Sequence, residues 1–410
     1  MKPPLRIGLV MQGGTGWMGG TEYIRNLALS LHGLRAERGG DFEVCLIAGG
    51  ALDAALRGQL APFVGEIFDG LLDRRDTAAG RCRTFFQQSI LRRPNARFSA
   101  FLRAARIDFL YPLTYANRKI GVSLPVGAAF GECRWAGWIP DFQHRHMPQY
   151  FDAAEIRKRD RGIEALSRDA RTIVFSSEAA ARDFREFFPA SRARVELLRF
   201  CTAPQSAWYE GDPAAVEQRY HLPDRFFLVS NQFWQHKNHA VIFDALQALA
   251  SQADPVRPHL VCTGHPHDAR EENHFNALLG RLHRSGIAPQ VSLLGLIPRS
   301  DQMQLMRRSL AVIQPSLFEG WSTVVEDARA LGKRIAISDI PVHLEQHPPG
   351  ARVFARDSAE SLAAILAEWW TTLAPGPEPS EAAAQTAAAG ALLASGARFL
   401  EIAYADSTAR

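Results

Sequence analysis

The sequence predicts an α/β protein made of two domains, each a parallel sheet covered on both faces by helices. Three observations carry this. Apolar runs of strand length alternate with helical patterns along most of the chain. The alternation starts afresh, and more regularly, after residue 224. Between the two series lies Thr202–Asp224, broken by Pro204, Gly211, Pro213 and Pro223, which reads as a boundary.

In chain order, strands are expected at Leu5–Met11, Phe42–Ala48, Phe109–Leu113, Trp135–Ile139, Thr172–Ser176 and Val195–Phe200. Helices are expected at Gly20–Leu31, Ala153–Leu166 and Ala179–Phe187. The second series has strands at Phe226–Ser230, His259–Thr263, Val291–Leu296, Ala311–Gln314 and Arg334–Ser338. Helices at His239–Leu249, Glu272–Leu282, Ser300–Arg308 and Trp321–Leu331 separate them. Strands alternating with helices bury both faces of a parallel sheet. The domains are therefore drawn at 1–205 and 206–380. A Pro-rich stretch, Thr371–Ser380, then leads into an Ala-rich helix, Glu381–Ile402, free by its propensity to pack back on the first domain.

Composition narrows the class. The chain of 410 residues is 47% hydrophobic and 22% charged, which is globular and not disordered. A formal net charge of +4 gives no ground for nucleic acid binding. The five cysteines, Cys45, Cys82, Cys133, Cys201 and Cys262, contain no C-x-x-C pair, which argues against a disulfide framework or structural zinc. Neither a secretory signal nor a stretch of about 18 apolar residues is present. The expected location is the cytoplasm, with any membrane contact peripheral.

Two segments of the second half carry the chemistry. The first, Gln314-Pro-Ser-Leu-Phe-Glu-Gly-Trp-Ser-Thr-Val-Val-Glu, follows a strand and opens a helix. The backbone N–H groups of Gly320, Trp321, Ser322 and Thr323 are expected to point into the crevice where strands end, where a phosphate or sugar oxygen is favoured. Glu319 and Glu326 are seven positions apart and share a face if the helix begins early; as carboxylates they suit hydroxyl donors. Alternatively, Glu319 only favours the helix N-terminus. The second segment, Asn231-Gln-Phe-Trp-Gln-His-Lys-Asn238, leaves a strand and places Lys237 at a strand-to-helix turn. Only five lysines occur in this arginine-rich chain, and a compact ammonium suits a diphosphate.

Together these segments resemble family 4 of the retaining glycosyltransferases, in a divergent branch. The resemblance implies the GT-B fold: two Rossmann-like domains facing each other across a donor-binding cleft. It implies that Glu319 contacts donor sugar hydroxyls, Glu326 the ribose, and that Lys237 neutralises the leaving diphosphate. Two departures stand out. Six residues separate Glu319 from Glu326 where the family has seven, and Gln232 stands where the family has arginine.

In the first half, Gly14, Gly16 and Gly19 satisfy G-x-G-x-x-G, but no acidic residue closes the second strand, so a dinucleotide site is a weak reading. The loop resembles instead the glycine-rich first loop of GT-B enzymes, with Gly19 and Gly20 near the donor. After the strand at Trp135–Ile139 come Asp141, His144 and His146. The resemblance places a catalytic-loop histidine there, and His144 is preferred, with Asp141 beside it; a solvated polar loop is the alternative. No Asp-x-Asp occurs, so neither metal nor cofactor is expected. The arginine-dense stretch Arg74–Arg106 is a solvated face or a basic patch for anionic lipid.

The function expected is transfer of a sugar from a nucleotide-diphosphate sugar to a saccharide or lipid-linked glycan in surface polysaccharide or lipopolysaccharide synthesis. The alternatives are a nucleotide-sugar epimerase or hydrolase, or a non-catalytic nucleotide-sugar-binding protein on the same fold.

Overall fold

A computed structural model describes residues 3–13, 18–38, 40–71, 96–115, 133–268 and 270–408. The chain divides into two compact units, residues 1–201 with 390–410, and residues 202–389.

The first unit is built on a parallel sheet of seven strands: β1 (Leu5–Val10), β2 (Phe42–Ile47), β3 (Glu66–Phe68), β4 (Phe109–Leu113), β5 (Arg134–Trp138), β6 (Thr172–Phe175) and β7 (Arg194–Leu197). Their spatial order is β3-β2-β1-β4-β5-β6-β7. The register is regular where it begins, with Leu5 opposite Phe42 through to Val10 opposite Ile47. Both faces are covered, which explains why β4 and β6 are buried at every residue and read as continuous apolar runs. Caps set several helix starts. Asp152 accepts from the Glu155 amide at 2.7 Å, and Ser177 from Ala180 at 3.1 Å.

The helix Glu381–Thr408 begins in the second unit and ends in the first. Its later part seats Phe399, fully buried, against Phe109 and Tyr111. Gly396 allows a close approach there, since a Cβ would lie 3.0 Å from the carbonyl oxygen of Ser30. Arg134 donates to the Ala403 carbonyl at 2.9 Å, and Arg398 pairs with Glu196.

The second unit has six parallel strands: β8 (Phe227–Ser230), β9 (Leu260–Thr263), β10 (Val291–Gly295), β11 (Val312–Gln314), β12 (Ile335–Ser338) and β13 (Arg352–Phe354), in the order β10-β9-β8-β11-β12-β13. One side of the sheet packs on Phe227, Phe243, Leu246, Leu366 and Trp369, the other on Trp208, Phe226, Met303, Val325 and Ile337.

Several expectations needed correction. The edge strands β3 and β13 and the helix Ala359–Thr372 were missed; three-residue strands are too short for periodicity to register. Thr202–Asp224 is not bare linker but holds the helices Ser206–Glu210 and Pro213–Arg219, whose Trp208 and Val216 enter the core. Among the described residues, no helix is long and apolar enough to cross a membrane.

Candidate functional site

In the second unit the connections from β8 run outward in one direction to β9 and β10, and in the other to β11, β12 and β13. The carboxyl ends of β8 and β11 therefore flank the crevice where such sheets bind ligands. Two amides meet at its floor. Asn231, the residue after β8, donates from Nδ2 to Oε1 of Gln314, the last residue of β11, at 2.8 Å.

Each strand then feeds a loop that carries one charge. After β8 the chain makes a 3₁₀ turn, Gln235–Lys237, passes through Asn238 in the left-handed region (φ 52°), and enters the helix His239–Ala250. After β11 comes Pro315–Trp321, then the helix Thr323–Ala330 capped by Ser322. The Leu317 amide donates to the His236 carbonyl at 2.8 Å, which ties the loops side by side. Lys237 Nζ thus lies 2.5 Å from Glu319 Oε1, with both side chains mostly shielded, at 14% and 10% exposure. Glu319 Oε1 also accepts from Ser316 Oγ at 2.7 Å and Gln314 Nε2 at 3.0 Å.

The β9 loop supports the same wall. Gly264 has φ 136°, and a Cβ there would lie 2.1 Å from the Asn231 carbonyl oxygen, so only glycine lets the two loops touch. Asp268, buried, accepts from the Gln235 amide and from Arg270, whose guanidinium lies 5.2 Å above the Trp234 ring. Arg270 Nη2 is 3.3 Å from His236 Nδ1. His236 is held well below the ordinary histidine range, first by burial, then by Lys237 and Arg270.

A second chain of contacts runs behind the loop. The Ser322 amide donates to Gln346 Oε1 at 3.0 Å, and Gln346 Nε2 donates to the Ser322 carbonyl at 3.0 Å and to Glu326 Oε1 at 2.9 Å. Arg329 Nε meets Glu326 Oε2 at 3.2 Å. Burial raises the Glu326 carboxyl above the ordinary range, against the pull of Arg329 and Gln346. Below, Ser338 Oγ donates to the Ser316 carbonyl at 2.6 Å and lies 2.9 Å from His343 Nδ1. His343 is fully buried and pushed down to about 4, chiefly by desolvation.

The expected residues now have places. Lys237, Glu319, Gly320, Trp321 and Thr323 gather at the crevice; Gly320, Trp321 and Thr323 are half-buried, as is Gln232 on the β8 loop. The shared helical face of Glu319 and Glu326 is corrected: the helix starts at Thr323, so Glu319 stands outside it. Ser322 is corrected too. Its N–H is not unpaired but taken by Gln346, and its Oγ caps the helix. Glu326 is 3% exposed, with both oxygens engaged inside the unit. Sequence reasoning missed Asn231, Gln314, Gln346, Arg270 and His343. A neutral amide at a strand end carries no sequence signal until its neighbours are known.

In the first unit, Gly14 and Gly16 lie outside the described residues, while Gly19 and Gly20 sit in the first turn of the helix Met18–Arg38. Most of Arg74–Arg106, including Arg92 and Arg93, lies outside as well. His144 is corrected: its ring is 1% exposed, Nε2 lies 3.1 Å from Asp160 Oδ1, and burial lowers its pKa. Its ring is therefore packed within the unit and held by Asp160, not exposed on a solvated loop. Asp141, half-buried, accepts the Gln143 amide at 2.9 Å and so shapes the turn. His146 is the exposed histidine, 2.7 Å from Asp183, which raises its pKa.

Comparison with solved structures settles the fold. The chain matches Anabaena Alr3699/HepE, solved with UDP and glucose, at TM-score 0.67 and 16% identity over 98% of this chain and 100% of that one. The fold is GT-B. Sucrose-phosphate synthase from Thermosynechococcus elongatus shares this GT-B fold at TM-score 0.64 and 15% identity, over 99% of this chain and 100% of that one. WaaG, a glycosyltransferase involved in lipopolysaccharide biosynthesis, matches at 0.57 and 13%, over 96% and 95%. Residues 216–382 match the family model described as Glycosyl transferases group 1, a span that contains Lys237, Glu319 and Glu326. No curated protein matches the chain.

Proposed function

We propose that this protein is a retaining, metal-independent glycosyltransferase that moves a sugar from a nucleoside diphosphate to a saccharide or lipid-linked acceptor. One observation carries the reading: Lys237 and Glu319 paired at the switch-point crevice of a glycosyl transferases group 1 domain. UDP or UDP-glucose accompanies Alr3699/HepE in its solved structures, which supports a nucleotide sugar as donor.

The chemistry follows from the groups present. Breaking the bond from anomeric carbon to phosphate leaves negative charge on the diphosphate and oxocarbenium-like charge on the sugar. Lys237 and the end of the helix at Thr323 meet the first. The Glu319 carboxylate accepts from sugar hydroxyls and orients the ring. Donor charge is answered by side chains, so no metal is called for. The likeness to WaaG favours a surface polysaccharide or lipopolysaccharide acceptor, met at the cytoplasmic face of a membrane.

A thermal-shift screen of UDP-, GDP- and ADP-hexoses tests the reading, since a ligand that binds only the native state raises Tm. The expected result is stabilisation by one nucleotide class, followed by transfer to a glycan acceptor. Stabilisation by none overturns the donor assignment; interconversion of the donor without acceptor indicates an epimerase.

A further inference from the structure

Gln314 is fully buried at the end of β11, and its side-chain hydrogen bonds go to Asn231, Ser316, Glu319 and Ser322, all on the two loops of the candidate site. Its Nε2 lies 3.0 Å from Glu319 Oε1, 3.1 Å from Ser322 Oγ and 3.2 Å from Ser316 Oγ. Its Oε1 receives Asn231 Nδ2 at 2.8 Å. The neighbours fix which way the amide faces. Rotated by half a turn, its carbonyl would oppose the Glu319 carboxylate and its NH₂ would oppose that of Asn231. Two N–H bonds serve three acceptors, and the charged one holds the strongest of them.

On the reading given above, we infer that Gln314 is a positioning residue. It holds the Glu319 carboxylate in the orientation that meets the donor sugar, and through Asn231 it registers that carboxylate against the loop bearing Lys237. Lys237 alone does not do this, because an ammonium on a four-carbon stem imposes no fixed direction. Gln314 supplies the direction from a rigid strand end. It touches neither the diphosphate nor the reacting carbon, so its loss separates two quantities that a general loss of structure would move together.

The test is Gln314→Met, which keeps the side chain's length and removes its hydrogen bonds. The probe is whichever of UDP-, GDP- or ADP-hexose stabilises the wild type, with the matching free nucleoside diphosphate. The expected result is a fall in kcat of about 10- to 100-fold, with the affinity for free nucleoside diphosphate unchanged within about threefold. Asn231→Ala, which leaves Glu319's own contacts in place, is expected to produce a smaller fall in kcat with the same unchanged affinity. It is the variant to read if Gln314→Met does not fold. Unchanged kcat in both variants overturns the assignment, as does loss of diphosphate affinity and Tm in parallel with kcat. A wild type that binds none of the probes counts against the proposed function instead. The assignment of Gln314 is then decided by a crystal structure of Gln314→Met, in which Glu319 is expected to leave Lys237. An unmoved carboxylate overturns it.

Discussion

Two polar pairs, one in each unit, look alike on paper and differ in their surroundings. His144 with Asp160 and Lys237 with Glu319 each join a loop following a strand to a carboxylate. In the first, the base is buried to 1% exposure and its partner comes from the helix Ala153–Asp169, within the unit's own packing. In the second, both partners are loop residues at the place where strand connections diverge, shielded but not sealed. The lesson is that a polar residue after a strand becomes a site through the topology of its sheet. The first pair joins two helices with its base sealed from solvent; the second stands at the switch point, where such sheets take their ligands.

The sharpest break of this comparison is Lys237→Ala, expected to lower transfer by at least about 100-fold while leaving far-ultraviolet dichroism and Tm near wild type. Activity within a few-fold of wild type would remove the lysine from the mechanism. Glu319→Gln comes next. It should cut transfer by about 30- to 100-fold yet tighten binding of the free nucleoside diphosphate several-fold, because the ammonium no longer shares its charge with a carboxylate. Calorimetry reads this, and weaker diphosphate binding would contradict the pairing argument.

On the other side, His144→Gln should leave transfer within about threefold. It should lower stability by about 1–2 kcal/mol, the ordinary scale for disturbing a buried hydrogen bond, measured by urea unfolding. A large fall in turnover with intact stability would return His144 to the active site. The smallest effect concerns pH. His343 and His239 are neutral and fully buried, pushed by desolvation to about 4 and about 3 from an ordinary 6.5. As pH falls below 6.5, the unfolded chain takes up these protons first, so the stability they confer is full above 6.5 and drains away toward pH 4. Each should contribute a slope of about 1.4 kcal/mol per pH unit at most. His343→Gln should flatten the decline of Tm between pH 6.5 and 4, and an unchanged slope would mean that the ring does not stay neutral.

How legible was this in the sequence? Buried parallel strands announce themselves because both faces need apolar side chains. Phe227–Ser230 and Thr172–Phe175 were therefore readable to within a residue. Edge strands such as Glu66–Phe68 carry half that demand over three residues, and they escaped. Lys237 and Glu319 could be singled out as charges beside a strand end. Gln314, Gln346 and Asn231 could not, since an amide is equally at home on a surface, and only the partners at 2.8–3.0 Å distinguish it.

The sequence by itself determined the alternation of strands and helices and the two loops that hold the charges. All of these follow from local periodicity and turn chemistry. The tertiary structure alone decided which strands became neighbours, and so which loops met. β8 and β11 are more than eighty residues apart in the chain, yet they lie side by side in the sheet. That pairing brings Lys237 against Glu319, and other tertiary contacts turn Ser322 inward to Gln346 and close His144 on Asp160, because hydrogen bonds and ion pairs act over a few ångströms of space and are blind to distance along the chain.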